Sequence, residues 1–170
     1  MVNATEFRKA CGVFPTGVTV VTRWHKGEPL GVTVSAFTSV SLDPPLVLVC
    51  VRMGSTFLEG ITDGDPIFIN MLASHQSGAS DRFSRLPPPQ RFCVGDWEQL
   101  QLKEALAVMA CRLHRSLPAG DHALLMLSVE ATRVSLRDPL VWWGAQYWTL
   151  DRDGVAFGNS TQPNAATDQE

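Results

Sequence analysis

A chain of 170 residues, 45% of them hydrophobic, fits one domain of ordinary size with enough apolar material for a real core. Its 14 basic and 17 acidic residues give a net charge of -3 with no long block of one sign. The basic stripe of a nucleic-acid-binding protein is therefore missing, and acidic small molecules must be held by local features.

The first residues, MVNATEFRKACG, carry no charged-then-apolar leader, and no apolar run approaches the length that crosses a bilayer. A cytoplasmic protein that engages no membrane is expected. Asn3 or Thr5 can cap a short amphipathic helix whose apolar side holds Phe7, Ala10, Cys11 and Phe14, before Pro15 and Gly17 end it. TGVTVVTRW (16–24), the turn-forming HKGEP (25–29) and LGVTVSAF (30–37) then read as a hairpin of β-branched residues.

Residues 31–50, GVTVSAFTSVSLDPPLVLVC, alternate in an unusual way. Val32, Val34, Ala36, Val40 and Leu42 make one side mostly apolar, while Thr33, Ser35, Ser39 and Ser41 line the other with hydroxyls around Phe37. PLVLVCV (45–51) is apolar on both sides and is expected to be a fully buried strand. Ser55 is placed to cap a short helix reaching Ile61, PIFINML (66–72) is the next strand, and a helix near Gln76 to Arg85 carries Phe83. LPPPQRFCVGDW (86–97), with three prolines, is expected to be a surface loop. ALAVMACRLHR (105–115), HALLMLSVEATRV (122–134) and PLVWWGAQYWTL (139–150) are strand-like, although Ala, Leu and Met leave a helical reading open for the first two. Residues 1–150 thus form the domain, and the polar segment 151–170 reads as a flexible tail. About seven strands with few helices point to a closed or partly open antiparallel barrel.

Cys11, Cys50, Cys93 and Cys111 stand far apart without a C-x-x-C pair, which suits buried reduced thiols and argues against a disulfide framework or a metal site. Rossmann, P-loop, G-x-S-x-G and H-E-x-x-H patterns are all absent. The row Thr33, Ser35, Ser39, Ser41 could hold a phosphate through hydroxyl and backbone donors, or it could decorate a solvent-facing side. In RMGST (52–56), Arg52 with Ser55 and Thr56 at a helix start makes a plausible second wall of such a site, and equally a plain cap. The Gly120-Asp121-His122 triplet opens a strand. Its imidazole could bond, stack or exchange a proton, with Asp121 fixing the tautomer, or the triplet could be a turn before a half-exposed His. His25 falls in a turn, and His75 and His114 have no identifiable partner. Trp142, Trp143, Tyr147 and Trp148 crowd the last hairpin, as a platform for a planar cofactor, a dimer interface or core.

FPTGVTVVT, GVTVSAFTSVSLDPPLVLVCV, INML, QSGASDRF and AGDH occur in the order seen in the flavin reductase-like domain family, over roughly residues 5 to 150. The chain resembles the short-chain NAD(P)H:flavin oxidoreductases that supply reduced flavin to two-component monooxygenases. The resemblance implies a mainly β split barrel of the FMN-binding, Greek-key-like kind with a few short helices, a homodimer, FMN or FAD near the subunit interface, NADH or NADPH as co-substrate, and a flavin-dependent monooxygenase as recipient. It implies flavin contacts from Thr33, Ser35, Ala36, Ser39 and Ser41, from the region of Cys50, Arg52, Ser55 and Thr56, and from Phe83, Arg91 and Tyr147. Gly120, Asp121 and His122 match the nicotinamide-binding motif, with His122 as the catalytic position. Three departures stand out: Ser128 where the family often has Gly, Gln146 where it often has a basic residue, and the LPPPQ loop. They motivate one alternative, a flavin-retaining enzyme acting on an organic substrate; a non-catalytic module binding flavin or another planar ligand such as haem is a third reading.

Overall fold

The structure is a computed structural model that describes residues 2–93 and 95–150 and the backbone of residues 156–158. Helix α1 (Ala4–Gly12) begins with a reciprocal cap: Asn3 Oδ1 accepts from the Thr5 and Glu6 N–H groups, and the Glu6 carboxylate accepts from Asn3 N–H. Its expected apolar face does not pack. No residue of α1 is buried, and Phe7 and Phe14 stay 58% and 72% exposed. The chain after it is tethered instead, by Trp143 Nε1 donating to Val13 O at 3.0 Å.

The single strand expected over 16–24 is two. β1 (Thr16–Gly17) joins one sheet and β2 (Thr19–His25) another, with Val18 buried between them. β2 turns into β3 (Glu28–Val34) through Lys26 and Gly27, both at positive φ, which matches the twist of a two-residue hairpin. β4 (Phe37–Leu42), β5 (Pro45–Arg52), β6 (Pro66–Met71), β7 (Trp97–Glu98), β8 (Gln101–Leu102), β9 (Ala107–Ala119), β10 (His122–Val134), β11 (Leu140–Trp143), β12 (Gln146–Leu150) and β13 (Ala156–Gly158) follow, with α2 (Ser77–Arg85) between β6 and β7. Both segments that left a helical reading open are strands. β13 pairs with β12 inside the segment read as a tail, whose remaining residues, 151–155 and 159–170, lie outside the described ones.

Seven strands form one antiparallel sheet in the order β3-β2-β6-β9-β10-β5-β4. Its two edge strands, β3 and β4, are consecutive in the chain, so the Ser35-Ala36 connection draws the edges together and the sheet must curl. This is the mainly β architecture with few short helices that the sequence implies. Inside the curl lie Val21, Val47, Val49, Val51, Phe57, Ile67, Ile69, Leu113, Leu125 and Leu127. α2 seals a second cluster of Val20, Leu72, Phe83, Leu102, Val108 and Leu140, where the small sheet β1-β11-β12-β13 packs through Trp142 and Tyr147.

The long alternation through residues 31–50 does not survive as one face. The chain bends at Ser35-Ala36, and the β4–β5 register jumps between Ser39 and Ser41, so parity changes along the segment. Val34 enters the core, whereas Val40 and Leu42 are 48% and 95% exposed. β5 is likewise not fully buried: Val47, Val49 and Val51 face the core, but Leu46, Leu48 and Cys50 on the other side are half-buried. Loop 86–97 is more than a surface excursion, since Phe92 and Trp97 pack edge-on against Phe83 with centroids 4.9 and 5.2 Å away. All four cysteines are free as expected, but only Cys111 is buried; Cys11 and Cys93 are exposed.

Two buried polar side chains fasten the loops. Asn70 donates to Val20 O and accepts from Leu102 N–H at 2.7 Å, fixing the β7–β8 hairpin to β6. Arg23, 2% exposed, donates to Phe57 O and Glu59 O, and burial lowers its pKa against the opposing charges of Asp65 and Glu59. Among the described residues no helix is long and apolar enough to cross a membrane, and no group of His, Cys, Asp or Glu is arranged to hold a metal.

Candidate functional site

A cleft of about 520 Å3 opens between β3, the end of β5, α2 and loop 86–97, and Thr33, Arg52, Ser55, Phe83 and Arg91 line it together. Five residues named from four stretches of sequence thus share one wall system. β3 supplies Thr33 and its neighbour Val32. Arg52 is the last residue of β5, where the strand leaves the core. Arg91 is pulled back over the cleft: its Nε donates to Leu86 O at 2.7 Å and its Nη1 to Gly31 O at 2.6 Å. Burial lowers its pKa, yet a guanidinium stays charged at any ordinary pH. Among the described residues neither Arg52 nor Arg91 forms a salt bridge, so both charges remain available to an anion in the cleft.

The G-D-H triplet arrives beside this cleft. β10 starts at His122, directly opposite Arg52 in the β10–β5 register, and Met53 N–H donates to Asp121 O at 2.8 Å. Gly120, at φ 60, forms the tip of the β9–β10 hairpin. His122 Nδ1 lies 2.7 Å from Asp121 Oδ1. That hydrogen bond, then the His122 charge and more weakly Arg52, hold the Asp121 carboxyl below its ordinary range. The carboxylate fixes the ring so that Nε2 is the nitrogen free to meet a ligand.

Other named residues lie elsewhere. Ser35 and Ala36 form the exposed bend, where Ala36 O accepts from Cys50 N–H, and Ser35 lines a separate cavity of about 270 Å3 with Phe14, Thr16 and Phe37. Ser39 is exposed and Ser41 half-buried on β4; neither lines the Arg52 cleft. Cys50 sits on the outer side of β5, its thiol pushed up by burial. Ser55 accepts from Phe57 N–H at 3.3 Å and caps only the 3-10 turn Thr56–Leu58. The longer helix expected there is absent, so the positive field comes from the two arginines rather than from a helix dipole. Phe83 is 1% exposed, and nearly all of its ring faces protein.

Tyr147 does not line the cleft. Its hydroxyl lies 2.9 Å from Ser80 Oγ and 3.0 Å from Asp81 Oδ1, and Ser80 O accepts from Thr33 Oγ1 at 2.7 Å. Sequence reading missed Ser80 and Asp81. The only signal was the buried pair Ala79 and Phe83 four apart on α2, which sets Ser80 one step round the same helix face. His75, expected to lack a partner, stands 3.4 Å from Glu104.

The profile of the flavin reductase like domain matches residues 11–151. This chain belongs to that family. The reductase subunit of stachydrine N-demethylase from Rhizobium meliloti is 38% identical over 75% of this chain and 58% of its own length. The reductase component of the FADH(2)-dependent resorcinol hydroxylase from a Rhizobium species is 37% identical over 89% of each chain. Among solved structures, the NADH:FAD oxidoreductase of Streptomyces globisporus C-1027 superposes with a TM-score of 0.82 at 31% identity, covering 91% of this chain and 98% of its own. The same enzyme in complex with NAD and FAD fragments gives 0.81 at 30% identity, with 89% and 94% covered. This chain spans little more than half the length of two Rhizobium meliloti relatives, 58% and 51%, and most of the length of the others named here.

Proposed function

We propose that this member of the flavin reductase family is an oxidoreductase that uses NADH, or less readily NADPH, to reduce FMN or FAD and releases the reduced flavin to a partner monooxygenase. The observation that carries this reading is the convergence of Arg52, Arg91 and Thr33 on one cleft with His122 at its rim. A flavin fits that donor set: two guanidiniums without carboxylate partners suit its phosphate, and about 520 Å3 lies within the size range of cofactor pockets. When bound, flavin supplies the acceptor for hydride from nicotinamide C4. The residues themselves need supply no acid or base for that step; they bind and align. Arg52 and Arg91 hold the anionic end, Phe83 and its aromatic neighbours stiffen the wall, and His122 bonds the nucleotide through the nitrogen that Asp121 leaves free.

Gln146, in place of a basic residue in the last hairpin, favours NADH over its phosphorylated form. A homodimer is supported by the apolar outer side of β5 and β10, where Leu46, Leu48, Leu124 and Met126 remain half-buried in a single copy. Exposed free thiols at Cys11 and Cys93 suit a reducing cytoplasm. The test is the visible absorbance of protein with FMN or FAD, followed without oxygen as NADH and then NADPH are added. Rapid bleaching supports the reductase and ranks the nucleotides. Tight binding without bleaching would move the chemistry to a flavin-retaining enzyme, and no binding at all would leave only a module for some other planar ligand.

A further inference from the structure

The turn that brings Ser55 to the cleft is held from behind by a buried charge. Arg23 follows Val21 by two residues on β2, so it shares the core-facing side of that strand, and its side chain is 2% exposed. β2 keeps β6 as its neighbour only as far as Thr22, opposite Phe68; beyond it the Arg23 guanidinium reaches the segment after β5 instead. Nε donates to Phe57 O at 2.7 Å, Nη2 donates to Glu59 O, and the guanidinium carbon lies 5.5 Å from the centre of the Phe57 ring. Among the described residues no backbone N–H reaches either carbonyl, so Arg23 is their donor. We propose that Arg23 is a positioning residue for the anion-binding end of the cleft, acting through Phe57 on the hydroxyl of Ser55.

The route from Arg23 to the cleft is short. Phe57 N–H donates to Ser55 Oγ at 3.3 Å and Leu58 N–H to Ser55 O at 3.0 Å, while Ser55 N–H donates to Arg52 O at 3.1 Å. Ser55 therefore takes its place from Phe57 and Leu58. Because Ser55 Oγ accepts from Phe57, its own proton is left to donate, and a phosphate offers acceptors only. Phe57 is fully buried, so the turn cannot shift without disturbing the core.

Stability alone does not account for a cation at this place. A buried ion pair is commonly no more stabilising than apolar side chains of the same volume. What an apolar side chain cannot do is hold two carbonyls, and the fixed fork of a guanidinium spans both at once. Its charge is answered by Asp65, whose Oδ2 lies 3.8 Å from Nη1 and whose carboxylate accepts from the Thr62 N–H and hydroxyl at 3.0 Å each. The other end of the turn is fastened independently, by Met53 N–H donating to Asp121 O. Loss of Arg23 therefore falls on the phosphate end and leaves the nucleotide side in place.

The inference rests on the flavin reading, and its test separates the two. Dissociation constants of FMN and of riboflavin, which lacks phosphate, are measured by flavin fluorescence for wild type, Arg23→Met, Ser55→Ala and the double variant. Arg23→Met is expected to weaken FMN about 3- to 10-fold, the worth of one hydrogen bond, and to leave riboflavin unchanged. The FMN KM should rise by the same factor while kcat and the NADH KM stay as in wild type. In the Ser55→Ala background Arg23→Met should have little further effect, because the hydroxyl it acts through is gone. Arg23→Lys keeps the charge but reaches only one carbonyl at a time, so it should lose about 2- to 3-fold on FMN alone, and it carries the test if the methionine variant does not fold. Equal losses for both flavins would mean a general loosening of the core and overturn the proposal, as would unchanged FMN binding or full additivity with Ser55→Ala. Wild type that binds riboflavin as tightly as FMN would remove the phosphate end and this inference while leaving the reductase reading intact. Wild type that binds neither flavin overturns the reading itself and this inference with it.

Discussion

The ring of Phe83 occupies the space beside Gly31: a β-carbon on Gly31 would stand 2.4 Å from Phe83 Cε1 and 2.7 Å from Cδ1. The ring cannot swing away, because Phe92 and Trp97 hold its other edges at centroid distances of 4.9 and 5.2 Å. Gly31→Ala must therefore displace β3 from α2, at a cost of about 1–3 kcal/mol for an overpacked core. Since Gly31 O also receives Arg91, the same displacement should raise the flavin KM. Urea unfolding of Gly31→Ala, Phe83→Leu and the double variant checks this. The double variant should be more stable than the sum of the single losses allows, and strict additivity would show that the contact is not the cause.

Much of this arrangement is legible in the sequence, and the reasons differ by residue. The first hairpin announced itself through β-branched runs broken by Lys26-Gly27, whose turn chemistry is local, whereas the strands flanking Gly120-Asp121 are rich in Ala, Leu and Met and only the turn itself was plain. Convergence of Thr33, Arg52 and Arg91 was legible only through family resemblance, because it depends on how β3 and β5 meet around a curled sheet. The 31–50 alternation misled, since a two-residue bend and a bulge each shift side-chain parity and neither leaves a signal in hydropathy. α1 misled for another reason: its capping box fixes a helix start, but a cap says nothing about what covers Phe7 and Phe14. Tyr147 was placed correctly in the last hairpin, but its hydroxyl's partner Ser80 lies 67 positions away in sequence and no local pattern points to it.

Tyr147 is the chain's single tyrosine, so its ionisation can be read directly from tyrosinate absorbance. Burial above all pushes its phenol above the ordinary value; the Ser80 hydrogen bond opposes this, and the Asp81 carboxylate adds to the rise through its hydrogen bond and its charge. The folded protein should therefore show no tyrosinate until pH rises above the ordinary phenol range near 10. A raised folded pKa means that the native state keeps its proton while the unfolded chain has lost it. The associated stability is fully present below the unfolded-state pKa and is lost as pH rises through the folded one. Asp81→Asn should move the absorbance titration down toward the ordinary value; an unmoved titration would leave burial as the only cause.

The four thiols should separate by reactivity. Cys11 and Cys93 are exposed and should react with a disulfide reagent at once. Cys111 is buried in the β9 core face, and its thiol is pushed up to about 12, first by burial and then by the Glu130 charge. It is fully protonated at neutral pH and should stay silent until the protein unfolds. Cys50, half-buried on β5 with its thiol also raised by burial, should react more slowly than the exposed pair. Counting released thiolate with and without denaturant tests this, and a third rapid thiol would contradict the half-buried setting of Cys50 or the burial of Cys111.

His122 and Asp121 give the sharpest functional prediction, because they are adjacent to the cleft of Arg52 and Arg91 without lining it. Removing the imidazole should act on nucleotide binding alone. His122→Ala is expected to raise the NADH KM about tenfold, the worth of one charge-assisted hydrogen bond, with the flavin KM unchanged. Asp121→Asn leaves the ring in place but frees its tautomer, so it should give a smaller rise of the same kind. The pH dependence separates the two roles. Asp121 is held below the ordinary carboxylate range chiefly by its hydrogen bond to His122, so its favourable contribution is present above the unfolded-state pKa and is lost as pH falls through the depressed one. Inhibition by NAD+, measured from pH 7 to about 4, should accordingly stay constant through the ordinary carboxylate range for Asp121. An acid limb that falls within the ordinary carboxylate range and disappears in Asp121→Asn would contradict the lowered pKa. Should the flavin KM rise in His122→Ala as much as the NADH KM, His122 would belong to the flavin wall beside Arg52 and not to the nucleotide site.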